Sequence, residues 1–481
     1  MLADAVRAEL QTIVGAGYVH GGPAQRIAYS YDGTFQQQPP DLAVSPRTTD
    51  EVSRILALAH AHGIPVVPRG ASSGLAGGTI PLAGGIVLNL ARMNRILEVS
   101  PADGVAVVEP GVITARLQAE VERYGLFYPP DPASLSQSSL GGNVSTNAGG
   151  PRCLKYGATK DYVRGLTVVL ADGRVLRPGG RVLKQSTGYQ LTQLFVGSEG
   201  TLGVVTEIIL RLVPLPRERS TAQAIFPALE QAVEAVTAIL TAGLLPTALE
   251  VMDATTIGLV EDHMAIGLPR AADAVLILEA DGNDAAAVQA EIERMGAIAR
   301  ECGASDVRVA ADAAARAALW EARRAISPAL GRARPNKLGE DIVVPRSQIV
   351  AMVRRVRAIS AEVGLPIPVF GHAGDGNLHP NILFDRRLPG ELERVERAAT
   401  AIFRAAIELG GTLSGEHGVG SLKREFMNDS LGEEAVWAMR AIKDALDPKG
   451  ILNPGKLFPT RAGSLDGWLA ALPTLEGVTP G

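Results

Sequence analysis

Two histidines frame a glycine-rich stretch in the last third of the chain, FGHAGDGNLHP, at residues 370–380. Within it, Asp375-Gly376 predicts a two-residue hairpin turn, because both central positions of such a turn favour residues that tolerate positive φ. That turn would place His372 directly opposite His379, with Cβ atoms about 5 Å apart on one face. Two imidazoles at this spacing could bind one metal ion. A surface hairpin with incidental histidines explains this stretch equally well by itself.

Length and composition narrow the class of protein. The 481 residues are enough for two or three domains, and 46% of them are hydrophobic. A formal net charge of −5 provides no basic surface for nucleic acid. The two cysteines, Cys153 and Cys302, can form neither a disulfide framework nor an iron–sulfur cluster, which normally takes four cysteines. Because we find neither a signal peptide nor a stretch of roughly 20 apolar residues, we expect a soluble cytoplasmic protein.

The predicted helices and strands that would position these histidines follow an α+β pattern. Thr48, followed three residues later by Glu51, predicts the start of a helix that Gly63 ends. Strands then recur with few helices as far as residues 214–216, Pro-Leu-Pro, which form the clearest domain boundary. Beyond this boundary strands alternate with long helices, including a continuous helix predicted over residues 312–330. Two β-α-β units there favour a ferredoxin-like or an enlarged antiparallel sheet, in a domain that contains the hairpin.

Three glycine-dense loops in the first half of the chain suggest a second site. They are PRGASSGLAGG at 68–78, GGNVSTNAGG at 141–150 and GSEGTLGVVT at 197–206. Glycine lets the backbone approach a ligand closely, and successive free N–H groups bind anions. The loops match neither a Rossmann fingerprint nor a P-loop. Any one of them alone is more often a plain turn, but together they predict a cradle for a dinucleotide pyrophosphate, to which Arg69 adds charge unless it forms a structural ion pair.

Longer segments around these loops resemble one known superfamily. PRGASSGLAGG, YPPDPASLSQSSLGGNVSTNAGG and GSEGTLGVVTE are similar to the flavin-binding domain of the vanillyl-alcohol oxidase and p-cresol methylhydroxylase (PCMH) superfamily. GHAGDGNLHPN, SGEHGVG and LDPKGILNPGK resemble its branch of bacterial glycolate oxidase flavin subunits, D-lactate dehydrogenases and D-2-hydroxyglutarate dehydrogenases. The resemblance is strongest to the glycolate oxidase flavin subunit, and it runs in the family's order from about Val44 to Lys456.

The resemblance implies an α+β fold with a PCMH-type FAD-binding domain of two subdomains and a ferredoxin-like α+β cap domain. We expect the FAD-binding domain at residues 1–215, the cap at 216–425, and a C-terminal segment, 426–481, that packs back on the FAD-binding domain. FAD would be bound non-covalently, because residues 69–78 contain no histidine for attachment. The implied FAD-binding residues are Arg69, Gly70, Ala71, Ser72, Ser73, Gly74, Pro130, Asp131, Ser134, Gly141, Gly142, Asn143, Thr146, Asn147, Ala148, Gly149, Gly203, Val205 and Asn453.

The same resemblance implies a reaction centre on the cap. His372, His379 and Glu416 would bind a divalent ion, with zinc expected, and an open coordination position would take the substrate. Neighbouring side chains diverge in both helices and strands, so His417 would point away from Glu416 and toward the substrate as a general base. The implied reaction is oxidation of a small 2-hydroxyacid, of the glycolate or D-lactate type, with hydride transfer to flavin N5.

A substrate carboxylate also requires a cation, preferably a bidentate one. The segment WEARRAIS resembles the family helix with that role, which assigns Arg323 and places Ser327 one turn later on the same face. Lys337 and Asn381 match further family positions near the substrate. An exposed helix charge is the alternative for Arg323, and a packing or turn histidine is the alternative for His417.

Other functions remain open from the sequence. A metal-dependent hydrolase would use the histidines and leave the glycine loops as turns, whereas a non-catalytic flavin subunit would bind FAD and serve assembly. A D-2-hydroxyglutarate-type dehydrogenase would take a larger substrate, and a nicotinamide-dependent reductase would leave the 2-hydroxyacid motifs without a role. Electrons would leave to an iron–sulfur subunit, a second flavin subunit, a quinone or a cytochrome. A homodimer and peripheral association with the inner membrane are both compatible with this pattern.

Overall fold

The computed structural model describes residues 2–460 and 465–474. Its first lobe is built around a four-stranded sheet, in which three strands pair in parallel. The predicted helix over residues 49–62 is confirmed: the Thr48 side chain accepts a hydrogen bond from Glu51 N, and Gly63 ends the helix with φ of 62°. The elements of this lobe are α1 (Asp4–Val14), β1 (Val19–His20), α2 (Pro23–Ala28), β2 (Leu42–Val44), α3 (Thr49–His62), β3 (Val66–Arg69) and β4 (Ile86–Asn89), with sheet order β1-β2-β4-β3.

A second lobe follows, with an antiparallel five-stranded sheet and few helices. Its elements are β5 (Ile96–Ser100), β6 (Val105–Val108), α4 (Thr114–Glu122), β7 (Leu126–Phe127), α5 (Leu140–Thr146), α6 (Cys153–Tyr156), β8 (Val163–Val169), β9 (Val175–Leu176), α7 (Leu191–Phe195), β10 (Val204–Arg211) and β11 (Val213–Pro214). The sheet order is β5-β6-β10-β8-β9. Strand β11 pairs with β7, so the chain stays in this lobe as far as Pro214.

The third unit is a large antiparallel sheet covered by long helices. Its elements are β12 (Glu218–Phe226), α8 (Leu229–Thr241), β13 (Ala248–Asp253), α9 (Ala254–Met264), β14 (Ala274–Gly282), α10 (Ala285–Glu301), β15 (Asp306–Val309), α11 (Ala313–Arg324), α12 (Ile326–Ala333), β16 (Asn336–Gly339), β17 (Ile342–Val343), α13 (Ile349–Val363), β18 (Val369–His372), β19 (Asn377–Phe384) and α14 (Glu391–Glu408). The order β15-β12-β14-β13-β18-β19-β16 places the β18–β19 hairpin beside β13, and β17 also pairs with β19. We call this unit the cap.

The helix predicted over residues 312–330 is wrong as one continuous element. It divides at Ala325 into α11 and α12, because Pro328 has no N–H to donate to the Arg324 carbonyl and its ring would clash with that carbonyl. The expectation that Ser327 lies one helical turn beyond Arg323 on a single helix face is therefore also wrong. The two residues belong to different helices.

The C-terminal part of the chain contacts both halves of the molecule. Helices α15 (Met427–Leu431) and α16 (Glu433–Leu446) lead to Leu452, which forms a parallel bridge with Val66 of the first lobe. Phe426 and Trp468 instead pack in the core of the cap, with ring centroids 5.4 Å apart. Residues 461–464 and 475–481 of the expected C-terminal segment lie outside the described residues. Within the described part of the chain, no helix is long and apolar enough to cross a membrane.

Candidate active site

The hairpin of β18 and β19 forms with a different register from the predicted one. His372 pairs with Asn377, and Phe370 pairs with His379. Four residues, 373–376, therefore form the loop instead of two. The prediction that His372 lies directly opposite His379 is wrong.

Neighbouring segments of the cap explain the longer loop. Gly376 has φ of 86°, and its carbonyl accepts a hydrogen bond from Val344 N at 3.1 Å. On the other side, Gly374 N donates to Leu249 O at 3.3 Å. A two-residue type I′ turn needs positive φ at both central residues, whereas only Gly376 of the predicted pair has it. Contacts with the surrounding sheet thus outweigh the local turn preference.

The corrected register still leaves both histidines on one face of the hairpin. Phe370 and His372 are two residues apart on β18, so they share a face, and Phe370 shares it with its partner His379. The rings of His372 and His379 have centroids 5.1 Å apart and lie nearly perpendicular to each other. The two imidazoles are diagonal neighbours, a separation that long side chains still bridge.

Three imidazoles converge on one carboxylate oxygen. Glu416 Oε1 lies 3.3 Å from His372 Nε2, 3.4 Å from His379 Nε2 and 3.9 Å from His417 Nε2. The rings of His379 and His417 are stacked, with centroids 5.3 Å apart. Glu416 Oε2, His379 Nδ1 and His417 Nδ1 are buried without a hydrogen-bond partner. Such a set of nitrogen and oxygen donors fits a divalent cation, which would also satisfy the unpaired oxygen of Glu416.

Asp341, at the start of the β17 segment, holds the loop that carries Glu416 and His417. Its Oδ2 accepts hydrogen bonds from Ser414 Oγ (2.6 Å) and from the backbone N–H groups of Gly415 (2.9 Å), Glu416 (2.9 Å) and His417 (2.8 Å). The backbone curls around this carboxylate and is neither helical nor extended. The expectation that the Glu416 and His417 side chains diverge is therefore wrong, since their polar ends lie 3.9 Å apart.

The same carboxylate connects the loop to the hairpin. Asp341 Oδ1 accepts a hydrogen bond from Asn377 Nδ2 at 2.8 Å. Burial alone would raise the pKa of Asp341, but the charges of His417, Lys423 and His379 and its hydrogen bonds lower that pKa well below its usual range. Asp341 is therefore ionised. Its oxygens are occupied by hydrogen bonds, which makes it a support for the cluster and a poor metal ligand.

Glu250 supports the cluster from the neighbouring strand β13. It is fully buried, and its register partner on β18 is His372. Glu250 Oε1 lies 2.6 Å from His372 Nδ1, and Glu250 Oε2 accepts a hydrogen bond from Arg323 Nε at 2.7 Å. A carboxylate on the second nitrogen of an imidazole fixes the ring and the tautomer of a metal-binding histidine. Arg323 also lies over the ring of Phe370, 4.8 Å from its centroid.

Burial and neighbouring charges shift the pKa values of the two hairpin histidines in opposite directions. Burial lowers the pKa of His379 to about 3, so this imidazole is neutral at neutral pH and keeps a lone pair for a ligand. Burial acts in the same direction on His372, but the carboxylates of Glu250 and Glu416 raise its pKa well above the usual value. A cation bound among these groups would displace the proton of His372, as metal ligands require.

The glycine loops of the first two lobes line a cleft that reaches this cluster. Residues 69–74 and 141–146 form two of its sides, and Glu416 and His417 form part of its lining. A Cβ at Gly70 would lie 2.3 Å from Ser139 Oγ, so only glycine allows these two sides to approach. The narrow backbone-lined channel between them fits the pyrophosphate of a dinucleotide.

The cleft contains twelve of the nineteen residues expected to bind FAD. They are Arg69, Gly70, Ala71, Ser72, Ser73, Gly74, Ser134, Gly141, Gly142, Asn143, Thr146 and Ala148. The other seven, Pro130, Asp131, Asn147, Gly149, Gly203, Val205 and Asn453, do not line it. Some of these seven support it: a Cβ at Gly149 would lie 2.9 Å from Glu416 Oε2, and Asn453 Nδ2 donates to Gly78 O at 2.9 Å.

The remaining candidates for the substrate side do not join the cluster directly. Lys337 Nζ donates to the hydroxyl and carbonyl oxygens of Ser327. Asn381 Nδ2 donates to His379 O at 3.0 Å, and so supports the backbone of a cluster histidine. Arg69 Nη1 donates to Tyr31 O at 2.8 Å, which anchors the guanidinium at the edge of the cleft.

Sequence reasoning missed four acidic residues of this region: Asp32, Glu199, Glu250 and Asp341. One had a detectable signal, since Glu250 interrupts the apolar run Thr247 to Met252, and a carboxylate buried in a strand requires a partner. The other three are acidic residues in loops or next to a strand end. Only the packing of distant segments reveals what they contact.

Two glycine-lined lobes around a cleft that fits a dinucleotide, with a cap that carries histidines and carboxylates at its edge, indicate the class of the protein: an FAD-dependent oxidoreductase. The comparisons with known proteins agree. Residues 40–179 match the model of an FAD binding domain, and residues 215–457 match that of the C-terminal domain of FAD linked oxidases. The chain belongs to the family of FAD-linked oxidases, and it is an enzyme.

Individual relatives match almost end to end. The chain is 47% identical to the glycolate oxidase subunit GlcD of Bacillus subtilis (strain 168), over 95% of this chain and 97% of that protein. It is 36% identical to a D-lactate dehydrogenase of Anaerostipes hadrus, over 87% of this chain and 89% of that protein. Among solved structures, p-cresol methylhydroxylase with substrate bound superposes with a TM-score of 0.79 at 18% identity, covering 96% and 98% of the two chains, which shows the shared fold.

Proposed function

We propose that this enzyme oxidises a small 2-hydroxyacid, of the glycolate or D-lactate type, to the 2-oxoacid. One observation carries the proposal: Glu416 and His417 line the same cleft as the glycine loops. The groups that could activate a hydroxyl therefore face the place where a flavin would lie. The names of the similar proteins, a glycolate oxidase subunit and a D-lactate dehydrogenase, both denote substrates of this chemical class.

The glycine loops would hold FAD non-covalently, with its pyrophosphate along residues 69–74 and 141–146. FAD, when bound, supplies the acceptor of the hydride from the substrate C2. The chain's own contribution is to bring the substrate to that acceptor in the correct orientation and to remove the hydroxyl proton.

His372, His379 and Glu416 would hold a divalent ion, with zinc expected, and such an ion would lower the pKa of a bound hydroxyl. An alternative set consists of Asp341, His379, Glu416 and His417, whose ligand atoms lie within 4.8 Å of one another. The first set is favoured, because Asp341 already accepts hydrogen bonds on both oxygens. It is also favoured because His372 has the carboxylate support on Nδ1 that metal-binding histidines usually have.

His417 would serve as the general base. Its side chain is 18% exposed, against 6% for His372 and His379, so it is the cluster imidazole that a ligand in the cleft can reach. Its Nε2 faces the cluster, and a substrate hydroxyl bound there would pass its proton to this atom. Arg323 would hold the substrate carboxylate, with its charge balanced by Glu250, and Ser327, Lys337 and Asn381 would complete the substrate side.

Membership of the FAD-linked oxidases removes the metal-dependent hydrolase as an alternative. The choice between small and larger 2-hydroxyacids is a matter for experiment, as is the electron acceptor. GlcD is named as a subunit of glycolate oxidase, and this supports a partner subunit, with an iron–sulfur protein proposed.

An anaerobic stopped-flow screen tests the proposal. The purified holoenzyme is mixed with glycolate, D-lactate, L-lactate and D-2-hydroxyglutarate, and the loss of flavin absorbance is followed. Rapid bleaching by glycolate or D-lactate is expected. Bleaching by D-2-hydroxyglutarate alone would favour the larger substrate, and a yellow protein that none of the four acids bleaches would overturn the proposal in favour of a non-catalytic flavin subunit.

A further inference from the structure

One buried carboxylate in the cleft has no part in the function proposed above. Glu199 is 7% exposed and lies in the third glycine loop. Its φ is 51°, between Gly197 (78°) and Gly200 (70°). A non-glycine residue in this conformation is held there by its surroundings, and such strain is concentrated at functional sites. The contacts of Glu199 show which groups this backbone conformation brings together.

The carboxylate of Glu199 holds the loop that carries the proposed base. Glu199 Oε1 accepts a hydrogen bond from Val419 N at 2.6 Å, and Oε2 accepts one from Gly420 N at 2.8 Å. A Cβ at Gly418 would lie 2.8 Å from Glu199 Oε1, so the loop passes directly over the carboxylate. The first of these hydrogen bonds is made two residues after His417. They anchor the second half of the loop, just as Asp341 anchors the first half from the cap.

The backbone of Glu199 contacts the walls of the dinucleotide cleft. Glu199 N donates to Ser145 O at 2.8 Å, within the second glycine loop. Asn453 Nδ2 donates both to Glu199 O (2.7 Å) and to Gly78 O (2.9 Å), which belongs to the first glycine loop. Glu199 is thus tied by its main chain to the flavin side and by its side chain to the base-bearing loop.

We propose that Glu199 is a positioning residue that sets the location of His417 relative to the flavin-binding loops. The inference rests on the proposed function, because it takes His417 as the base. The reacting centres reside on two units of the chain, and hydride transfer is sensitive to their separation: a misplacement of about 1 Å can reduce a rate roughly 100-fold. A carboxylate that accepts two backbone N–H groups fixes a loop more firmly than apolar packing would.

The test is the substitution Glu199→Gln in the FAD-loaded enzyme. The amide keeps one acceptor oxygen but sets an NH₂ group against the second N–H, so one anchor of the loop is lost. We expect the limiting rate of flavin reduction by saturating substrate to fall by about 10- to 100-fold, while FAD content and substrate KM stay close to those of the parent. Glu207→Gln removes a carboxylate from the neighbouring strand β10 without touching residues 414–420, and should leave the rate unchanged.

A second readout does not depend on activity. Hydrogen–deuterium exchange should become faster in the peptide that contains Val419 and Gly420 in Glu199→Gln and should stay unchanged in Glu207→Gln. A wild-type rate of flavin reduction in Glu199→Gln would overturn the inference, and so would unchanged exchange in that peptide. If wild-type enzyme is bleached by none of the acids, the proposed function fails, whereas the exchange result still decides whether Glu199 anchors the loop.

Glu199→Gln could fail to retain FAD, and Glu199→Asp covers that case because it keeps the charge and shortens the reach by one methylene. An intermediate rate with full FAD content is then expected. If both variants lose flavin reduction only in proportion to lost FAD, Glu199 acts in cofactor binding alone and the inference is wrong.

Discussion

His372 and His379 are diagonal neighbours on one face of a hairpin, with ring centroids 5.1 Å apart, and both point their Nε2 atoms at Glu416. The pair is asymmetric. His372 lies between two carboxylates, whereas His379 has its Nδ1 without a hydrogen-bond partner. This asymmetry allows one imidazole to be firmly oriented while the other remains neutral. This arrangement supports the proposed metal site, in which neighbouring carboxylates would orient a ligand.

The first prediction concerns the ion itself. Metal analysis of the purified enzyme should find about one divalent ion per chain, and His379→Ala should lose it, because one of three ligands is gone. The matched control is His62→Ala, which changes an exposed histidine on α3. Retention of metal in His379→Ala, or a fully active enzyme without metal, would contradict the assignment.

The second prediction concerns the base. His417→Ala should lower the rate of flavin reduction by substrate by about 10²- to 10⁴-fold, the usual contribution of general base catalysis. FAD and metal should stay bound, because His417 belongs neither to the favoured metal-binding set of His372, His379 and Glu416 nor to the residues proposed to bind FAD. Stopped-flow reduction with parallel FAD and metal determination measures this. A variant that reduces its flavin at the parent rate would remove His417 as the base.

The third prediction concerns the buried ion pair of Arg323 and Glu250. Arg323→Ala leaves the fully buried Glu250 with one partner fewer, and it should lower the free energy of unfolding by about 3–5 kcal/mol. Arg357→Ala removes an exposed pair with Asp273, and it should cost only about 0.2–1 kcal/mol. Chemical denaturation of the two variants compares them. Equal losses would mean that Arg323 is not engaged as the structure shows.

The fourth prediction concerns pH and Glu340. Burial raises the pKa of this carboxyl from 4.5 to about 7, with Asp341 contributing and Lys423 opposing. The folded chain therefore binds more protons than the unfolded chain between these values, so the free energy of unfolding should fall as pH rises through that window, by about 3 kcal/mol for this group. Glu340→Gln, which cannot ionise, should lack this part of the slope.

Denaturant unfolding of Glu340→Gln between pH 4.5 and 8 provides the measurement. Glu362→Gln, at an exposed position on α13, is the control and should follow the parent curve. A slope in Glu340→Gln identical to that of the parent would show that Glu340 does not titrate in this range.

The fifth prediction concerns attachment of the cofactor. Denaturation with acid should release the yellow FAD into solution, because residues 69–78 contain no histidine and the proposed contacts are backbone groups and small hydroxyls. Absorbance of the supernatant after centrifugation decides the point. Colour that stays with the precipitated protein would show covalent attachment.

The sequence by itself determined the broad features correctly. Local chemistry accounts for the glycine loops, for Thr48 as the N-cap residue of helix α3 and for the α+β class. Positive φ, close backbone approach and helix capping each depend on a few adjacent residues. The resemblance of six motifs to a flavoprotein superfamily was confirmed by the family match. Local signals succeed where neighbouring residues alone fix the conformation.

Only the tertiary structure decided the details of the site. The hairpin register depends on Leu249 in β13 and on Val344 directly after β17, and not on the Asp375-Gly376 pair alone. Asp341 bends the loop of Glu416 and His417 by four hydrogen bonds, a contact across more than 70 residues. A carboxylate can select among backbone conformations of similar local energy wherever the fold brings it, because each buried N–H must find an acceptor. The sequence therefore named the candidate site residues, while long-range contacts determined how they face one another.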